Sequence, residues 1–301
     1  MPDRGSPNLA RRQRLGKELR RLRERTTGMT GDEATTRLGW ASNSKLSRIE
    51  LGQTGVKPAD LEQILDLYGV SDEQREELTA LAEESRRSGA APPAGVRLPE
   101  QHVALLEAQR DAKSIWLWAP QVIPGLFQTE DYTRALLAAW VDEFALPPSN
   151  VDRLVQGRRL QEEVVLRRDP PPQVSVVLDE SVLLREVGSA EVMRGQLNYL
   201  GKAARQAHIE IRVLPLPGSH LEAAGAFVYL KSPQIHQVPL QDIVFFDHLA
   251  GMEMVDNEGD VHQYSVIFNS LARNALSPHK SRSRIVAAAN GEWRSQPTPP
   301  C

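Results

Sequence analysis

The chain has 301 residues, room for two domains at roughly 100–200 residues each. Hydrophobic residues make up 41% and charged residues 25%, as in a globular protein, and the net charge of −3 excludes a polycation, so any DNA-attracting field must come from a local patch. A single cysteine, Cys301, excludes an intrachain disulfide framework or a cysteine metal site, the N-terminus lacks an apolar signal core, and no apolar run approaches the ~20 residues that span a bilayer, so a cytoplasmic protein away from membranes is expected.

Residues 1–8 read as a disordered tail. The first helix is expected over 9–26, because Leu15, Leu19 and Leu22 recur on one helical face. Around them lie Arg11, Arg12, Arg14, Lys17, Arg20, Arg21, Arg23 and Arg25, opposed by Glu18 and Glu24. A charged, solvated face is the plainer reading of this bias. Directly upstream of a helix-turn-helix over 30–50, it also suits phosphate contact, with Arg20 the candidate.

The helix-turn-helix is read from its caps and its turn. Thr30 and Glu33 have the spacing of a capping box, in which hydroxyl and carboxylate satisfy each other's backbone N–H. The helix should run to about Leu38, where Gly39 ends it in a backbone conformation that costs a glycine nothing. Trp40 is an apolar plug past the turn, and Ser42, Asn43 and Ser44 are each plausible N-caps of a second helix. Leu46 and Ile49 face inward, leaving Asn43, Ser44, Lys45, Ser47 and Arg48 outside. A short, polar, cationic face is what a helix needs in a major groove, where Arg or Lys prefers guanine and Asn prefers adenine. Base reading is assigned to Ser42, Asn43, Ser44, Lys45 and Arg48, and phosphate contact to Arg20, Thr30, Ser47 and Lys57.

Gly52 and Gly55 mark a loop, and Pro58 opens a helix lined by Leu61, Ile64, Leu65 and Tyr68 and closed by Gly69. Lys57 stands at that helix start, where the dipole disfavours a cation and a bound phosphate would relieve it. Asp72 begins a fifth helix with Leu78 and Leu81 inward. The result is a five-helix all-α domain over 9–86, followed by a linker of small residues and prolines over 87–98.

The stretch SRIELG at Ser47–Gly52, with LGKELRRLRERTTGMT before it and DLEQILDLYGV after it, resembles the Xre/Cro (Cro/C1-type) family of repressors. The resemblance implies a helix-turn-helix that reads double-stranded DNA. One departure is that six residues, Trp40 to Lys45, separate Gly39 from Leu46, where the family has five. The extra residue either lengthens the turn or joins the helix.

A second, α+β domain with a mixed or antiparallel sheet is expected over 99–290, with a disordered tail over 291–301. It opens with a helix over 100–113. In residues 114–127 the bulky Trp116, Trp118, Ile123 and Phe127 are interrupted by Pro120 and Pro124–Gly125, which suggests a tight loop on the core, or the lining of an aromatic pocket. Thr129 caps the next helix, and an arginine-rich helix with a solvated face comes next, over 151–168. Residues 173–184 read as a strand and a short helical or extended piece, 189–206 as a helix, and 209–216, 225–232, 241–248 and 251–255 as strands. Helices over 258–275 and from Ser277–Pro278 to about Asn290 complete the domain.

His208, His220, His236, His248, Glu222, Asp242, Asp247 and Asp256 are scattered, without the spacing of a zinc, nucleophile-elbow or phosphate-loop motif. No catalytic residue, metal or cofactor is expected, and the chain reads as no enzyme. The loop holding His220 and Glu222 is the first place to look for an exception.

The stretches WAPQVIPGLFQTEDYTRALL, VVLRRDPPPQVSVVLDESVLLREVG, EVMRGQLNYL, IEIRVLPL and ALSPHKSRSRI are similar to the C-terminal domain of actinobacterial, Streptomyces-type Xre regulators, called WhiJ-like or antitoxin-like. That domain has no defined function. The resemblance implies a regulator, often encoded beside a small partner protein that binds it. The expected function is therefore a dimeric transcriptional regulator controlled through its second domain by a small protein or ligand. The alternatives are an antitoxin-like protein that mainly binds a small partner, and a small-molecule receptor.

Overall fold

A computed structural model of the chain describes residues 7–86, 100–144, 148–217, 225–232, 234–235, 238–239, 242–248 and 251–293. The linker at 87–98, His220, Glu222 and His236, and the ends at 1–6 and 294–301 lie outside the described residues. The chain divides into two compact units. The first consists of residues 7–86 together with 103–107 and a two-residue ribbon, β5 (Gln234–Ile235) paired with β6 (Val238–Pro239). The second holds the other described residues.

The main body of the first unit has five helices: α1 (Pro7–Leu22), α2 (Gly31–Arg37), α3 (Asn43–Glu50), α4 (Pro58–Tyr68) and α5 (Asp72–Arg86). The expected first helix is divided, because α1 widens at its end into a π-helical turn over Arg23–Thr27 that stops at Gly28 with φ +66°. The leucine stripe of α1 is fully used, with Leu15, Leu19 and Leu22 buried against Leu46 and Ile49 of α3, Leu61, Ile64 and Leu65 of α4 and Leu81 of α5. Close approach of α1 to α3 depends on Gly16: a Cβ there would stand 2.5 Å from the Ile49 carbonyl oxygen.

The second unit is an α+β domain around a six-stranded mixed sheet. Its strands are β1 (Ser114–Ala119), β2 (Gln173–Asp179), β3 (Ile209–Leu214), β4 (Phe227–Lys231), β7 (Ile243–His248) and β8 (Gly251–Val255), in the order β3-β2-β1-β4-β7-β8. β3, β2 and β1 run parallel, and β4, β7 and β8 add in antiparallel fashion. The helices are α6 (Glu100–Asp111), apart from its residues 103–107, which count with the first unit, α7 (Glu130–Phe144), α8 (Pro148–Gln161), α9 (Ser181–Leu184), α10 (Ala190–Ala203), α11 (Glu258–Asn274) and α12 (Pro278–Asn290). α8 also ends in a π-helical turn, Glu162–Leu166, rather than continuing to Arg168.

Ser114–Ala119, ahead of the turn expected at Pro124–Gly125 and assigned no element from the sequence, is the strand that joins the parallel and antiparallel halves of the sheet. Ile115, Leu117, Trp118 and Ala119 are buried, so both faces of β1 are covered and the sequence loses the alternation that marks a half-exposed strand. Trp116 is core rather than pocket lining. Its ring stacks on Tyr229 of β4 at 5.0 Å and on Phe268 of α11 at 4.9 Å, with Lys231 Nζ 4.0 Å from its centroid. α11 packs Val261, Phe268 and Leu271 onto the Trp118, Val177, Phe227 and Val244 side of the sheet.

Two buried polar residues tie loops to this frame. Gln196 of α10 accepts from Thr129 N and donates to Phe127 O, each at 2.7 Å, which fixes the turn after Pro124–Gly125. Thr129 accepts from Tyr132 N at 3.4 Å at the start of α7, as its capping position predicts. Ser281 of α12 accepts from Val213 N at 2.9 Å and donates to Leu276 O at 3.1 Å.

Candidate nucleic-acid interface

α2 and α3 form the helix-turn-helix, and the capping box is made as expected. Thr30 Oγ1 accepts from Glu33 N at 3.2 Å, and Glu33 Oε2 accepts from Thr30 N at 2.7 Å and from its hydroxyl at 3.0 Å. The Thr30 N–H and hydroxyl hold the Glu33 carboxyl below the usual carboxylate range. The Thr30 hydroxyl is therefore committed to the start of α2.

Gly39 has φ +68°, and Trp40 N reaches back to Thr35 O at 2.9 Å. The turn then runs to Ser42, the extended N-cap of α3. Ser42 gives no side-chain cap; its Oγ lies 2.7 Å from Ser44 Oγ. Trp40 is half-buried against the helical core.

The candidate base readers separate into two groups. Asn43 is half-buried against the start of α2, where a Cβ on Gly31 would stand 2.7 Å from its side-chain nitrogen and oxygen. Lys45 Nζ bonds Asp60 Oδ1 of α4 at 2.7 Å and sits 3.9 Å from the centroid of the Trp40 ring. Ser44, Ser47 and Arg48 are exposed. Their spacing of three and four residues puts them on one stripe, opposite the buried Leu46 and Ile49. Arg48 Nε bonds Ser44 O at 3.2 Å, leaving its terminal nitrogens outward.

Among the phosphate candidates, Arg20 pairs with Glu24 at 2.8 Å, both side chains being about half exposed. Such a pair is worth about 0.3–0.5 kcal/mol and yields readily to a phosphate. Lys57 is the exposed N-cap of α4 and, like the exposed Arg25, Arg37 and Arg48, makes no ion pair among the described residues. Arg37 escaped the sequence reasoning, although its place at the end of α2 before the turn was a readable signal. Arg23, grouped there with the outward arginines, is buried and paired with Glu50.

In the second unit, Asp242 accepts from Tyr229 Oη at 2.7 Å and from Ser232 N at 3.0 Å, a structural role. No group of three or more His, Cys, Asp or Glu able to hold a metal occurs among the described residues. No described helix is long and apolar enough to cross a membrane.

Residues 14–78 match a helix-turn-helix domain, and residues 103–286 match the family described as a domain of unknown function (DUF5753). The second match covers more than half of the chain. The chain belongs to the DUF5753 family. Its helix-turn-helix is a DNA-binding domain joined to the DUF5753 domain. Neither a curated protein nor a solved structure matches the chain.

Proposed function

We propose that this DUF5753 protein is a cytoplasmic transcriptional regulator of the Xre/Cro type, without enzymatic activity, that reads an operator as a homodimer. The observation that carries the reading is the stripe of Ser44, Ser47 and Arg48 on the outer face of α3, flanked by Arg37 and Lys57, cations without an ion pair among the described residues. A hydroxyl–hydroxyl–guanidinium stripe supplies donors to base edges, and the flanking cations supply salt-dependent affinity. One short helix contacts few base pairs, so two copies on a two-fold site give the specificity a regulator needs. The DUF5753 domain then acts as the input, receiving a small protein or a ligand, in keeping with the resemblance to actinobacterial regulators.

The test is a gel shift of the whole protein on its own upstream DNA at two salt concentrations. A specific shift that weakens steeply with salt supports the reading. Failure to shift any upstream fragment while the protein is folded overturns it.

A further inference from the structure

The outer stripe of α3 does not end at Arg48. Leu51, the first residue past α3, keeps a right-handed helical backbone (φ −84°, ψ 0°), and its N–H bonds Ser47 O at 2.9 Å. It follows Arg48 by three residues, Ser47 by four and Ser44 by seven, so it stands on the face that those three share. Gly52, with φ +66°, then turns the chain, and Gln53 N and Thr54 N both return to Arg48 O, at 2.8 and 3.3 Å. Leu51 is therefore the last side chain of the stripe.

Leu51 is 49% exposed, and no other large apolar side chain among the described residues of the helical unit is as open. Helical side chains lean toward the preceding turn, which carries Leu51 over the turn of Ser47 and Arg48. Arg48 does not cover it, because the Arg48 Nε runs back to Ser44 O at 3.2 Å. A single exposed leucine on a protein surface needs no explanation by itself. This one shares a narrow face with two hydroxyls and a guanidinium, on a helix of a DNA-binding domain. The base edges of the major groove present one apolar group, the 5-methyl of thymine.

We propose that Leu51 packs on a thymine methyl and so gives the DNA site a thymine that the rest of the stripe does not select. Ser44, Ser47 and Arg48 offer hydrogen bonds, which do not detect a methyl group. The inference rests on the reading of α3 as the helix that enters the major groove, and it adds the identity of one base to that reading.

The experiment selects binding sites for the full chain from a library of random duplexes. Kd is then measured on the selected site with each thymine replaced in turn by deoxyuridine, which lacks only the methyl. With the parent protein, one thymine in each half-site is expected to cost about fourfold in affinity when replaced, the equivalent of one buried methyl-sized group. Leu51→Ala should bind the thymine and deoxyuridine duplexes alike at that position. It should keep the Tm and the salt slope of the parent, because the side chain is half exposed and uncharged. Leu51→Met, still apolar and of similar volume, should retain the deoxyuridine penalty. Absence of a penalty at every thymine, or a penalty that persists in Leu51→Ala, overturns the proposal and leaves a selected site as support for operator reading. Failure of the folded protein to enrich any sequence overturns operator reading and this inference with it.

Discussion

Arg23 and Glu50, 27 residues apart, form a two-pronged pair inside the helical unit. Arg23 Nε reaches Glu50 Oε1 and Nη2 reaches Oε2, both at 2.8 Å, and Nη1 bonds Met29 O at 2.8 Å. The side chains are 8% and 7% exposed, so each ion depends on the other. The Glu50 bond, opposed by burial, raises the Arg23 pKa. Glu50 is the last residue of α3, so the pair fixes the end of that helix to the π-helical turn after α1.

Breaking that pair should be much worse than removing it. Glu50→Gln leaves an uncompensated buried guanidinium, and a loss of about 3–5 kcal/mol is expected. The double variant Arg23→Met/Glu50→Leu should recover most of it, because no buried charge remains. Urea unfolding of the full-length proteins, following the transition of the helical unit, checks both. Equal stability of Glu50→Gln and the parent would show that water reaches the pair.

Gly16 makes a second, steric link between the same helices. A Cβ at this position meets the backbone of Ile49 and Glu50, which has no alternative rotamer to adopt. Gly16→Ala gains about 1 kcal/mol of helix propensity within α1 and should still destabilise the protein by about 1–3 kcal/mol through overpacking. Because α3 must move away to admit the methyl, DNA affinity should fall even at temperatures where the variant is folded. Melting curves and gel shifts on the same preparation separate the two effects.

Arg48 and Lys45 should behave differently on DNA, despite equal charge and adjacent turns. Arg48 is exposed and bonded within its own helix, so Arg48→Ala should leave Tm unchanged and weaken operator binding by about 1–3 kcal/mol if it reads a guanine. Lys45 is shared between Asp60 and the Trp40 ring, so Lys45→Ala should lower Tm and weaken binding less. Lys57→Ala should weaken binding uniformly across sequences and reduce the salt slope by about one ion. Titrations of specific and scrambled DNA at several salt concentrations distinguish the three.

The helical unit was legible because its signals are local. The Thr30–Glu33 box, the turn glycines and the leucine stripe of α1 each act within a few residues of themselves, and the structure has all of them. The strand at Ser114–Ala119 was not, since it is covered on both faces by residues distant in sequence, among them Tyr229 and Phe268. An apolar run of that kind carries no period, and the prolines after it suggested a loop. The same limit applies to charge. Nothing near Arg23 in sequence distinguishes it from Arg20 or Arg21; its burial is decided by Glu50. At the candidate interface, the sequence identified the outward residues of α3, and it took Asp60, Trp40 and Gly31 to separate Lys45 and Asn43 from Arg48.

Glu180 gives the second unit a measurable acid sensitivity. Burial pushes its carboxyl up. The Arg284 Nε bond at 2.5 Å, the Leu216 N–H at 2.9 Å and the Arg284 charge more than offset this, and its pKa lies below the ordinary 4.5. A carboxylate depressed in the folded state contributes stability that is fully present above the unfolded value and is lost as pH falls through the folded one. The Tm of the parent should therefore hold from pH 7 to about 5 and drop steeply below the ordinary carboxylate value. Glu180→Gln should start lower at pH 7, because Arg284 keeps Glu292 alone as its partner at 3.0 Å, and should lose less on acidification. Other carboxylates such as Glu33 and Glu130 are also depressed and titrate alike in both proteins, so the difference between the two curves isolates Glu180. Parallel curves from pH 7 to 3 would show that the Arg284 bond does not persist in solution.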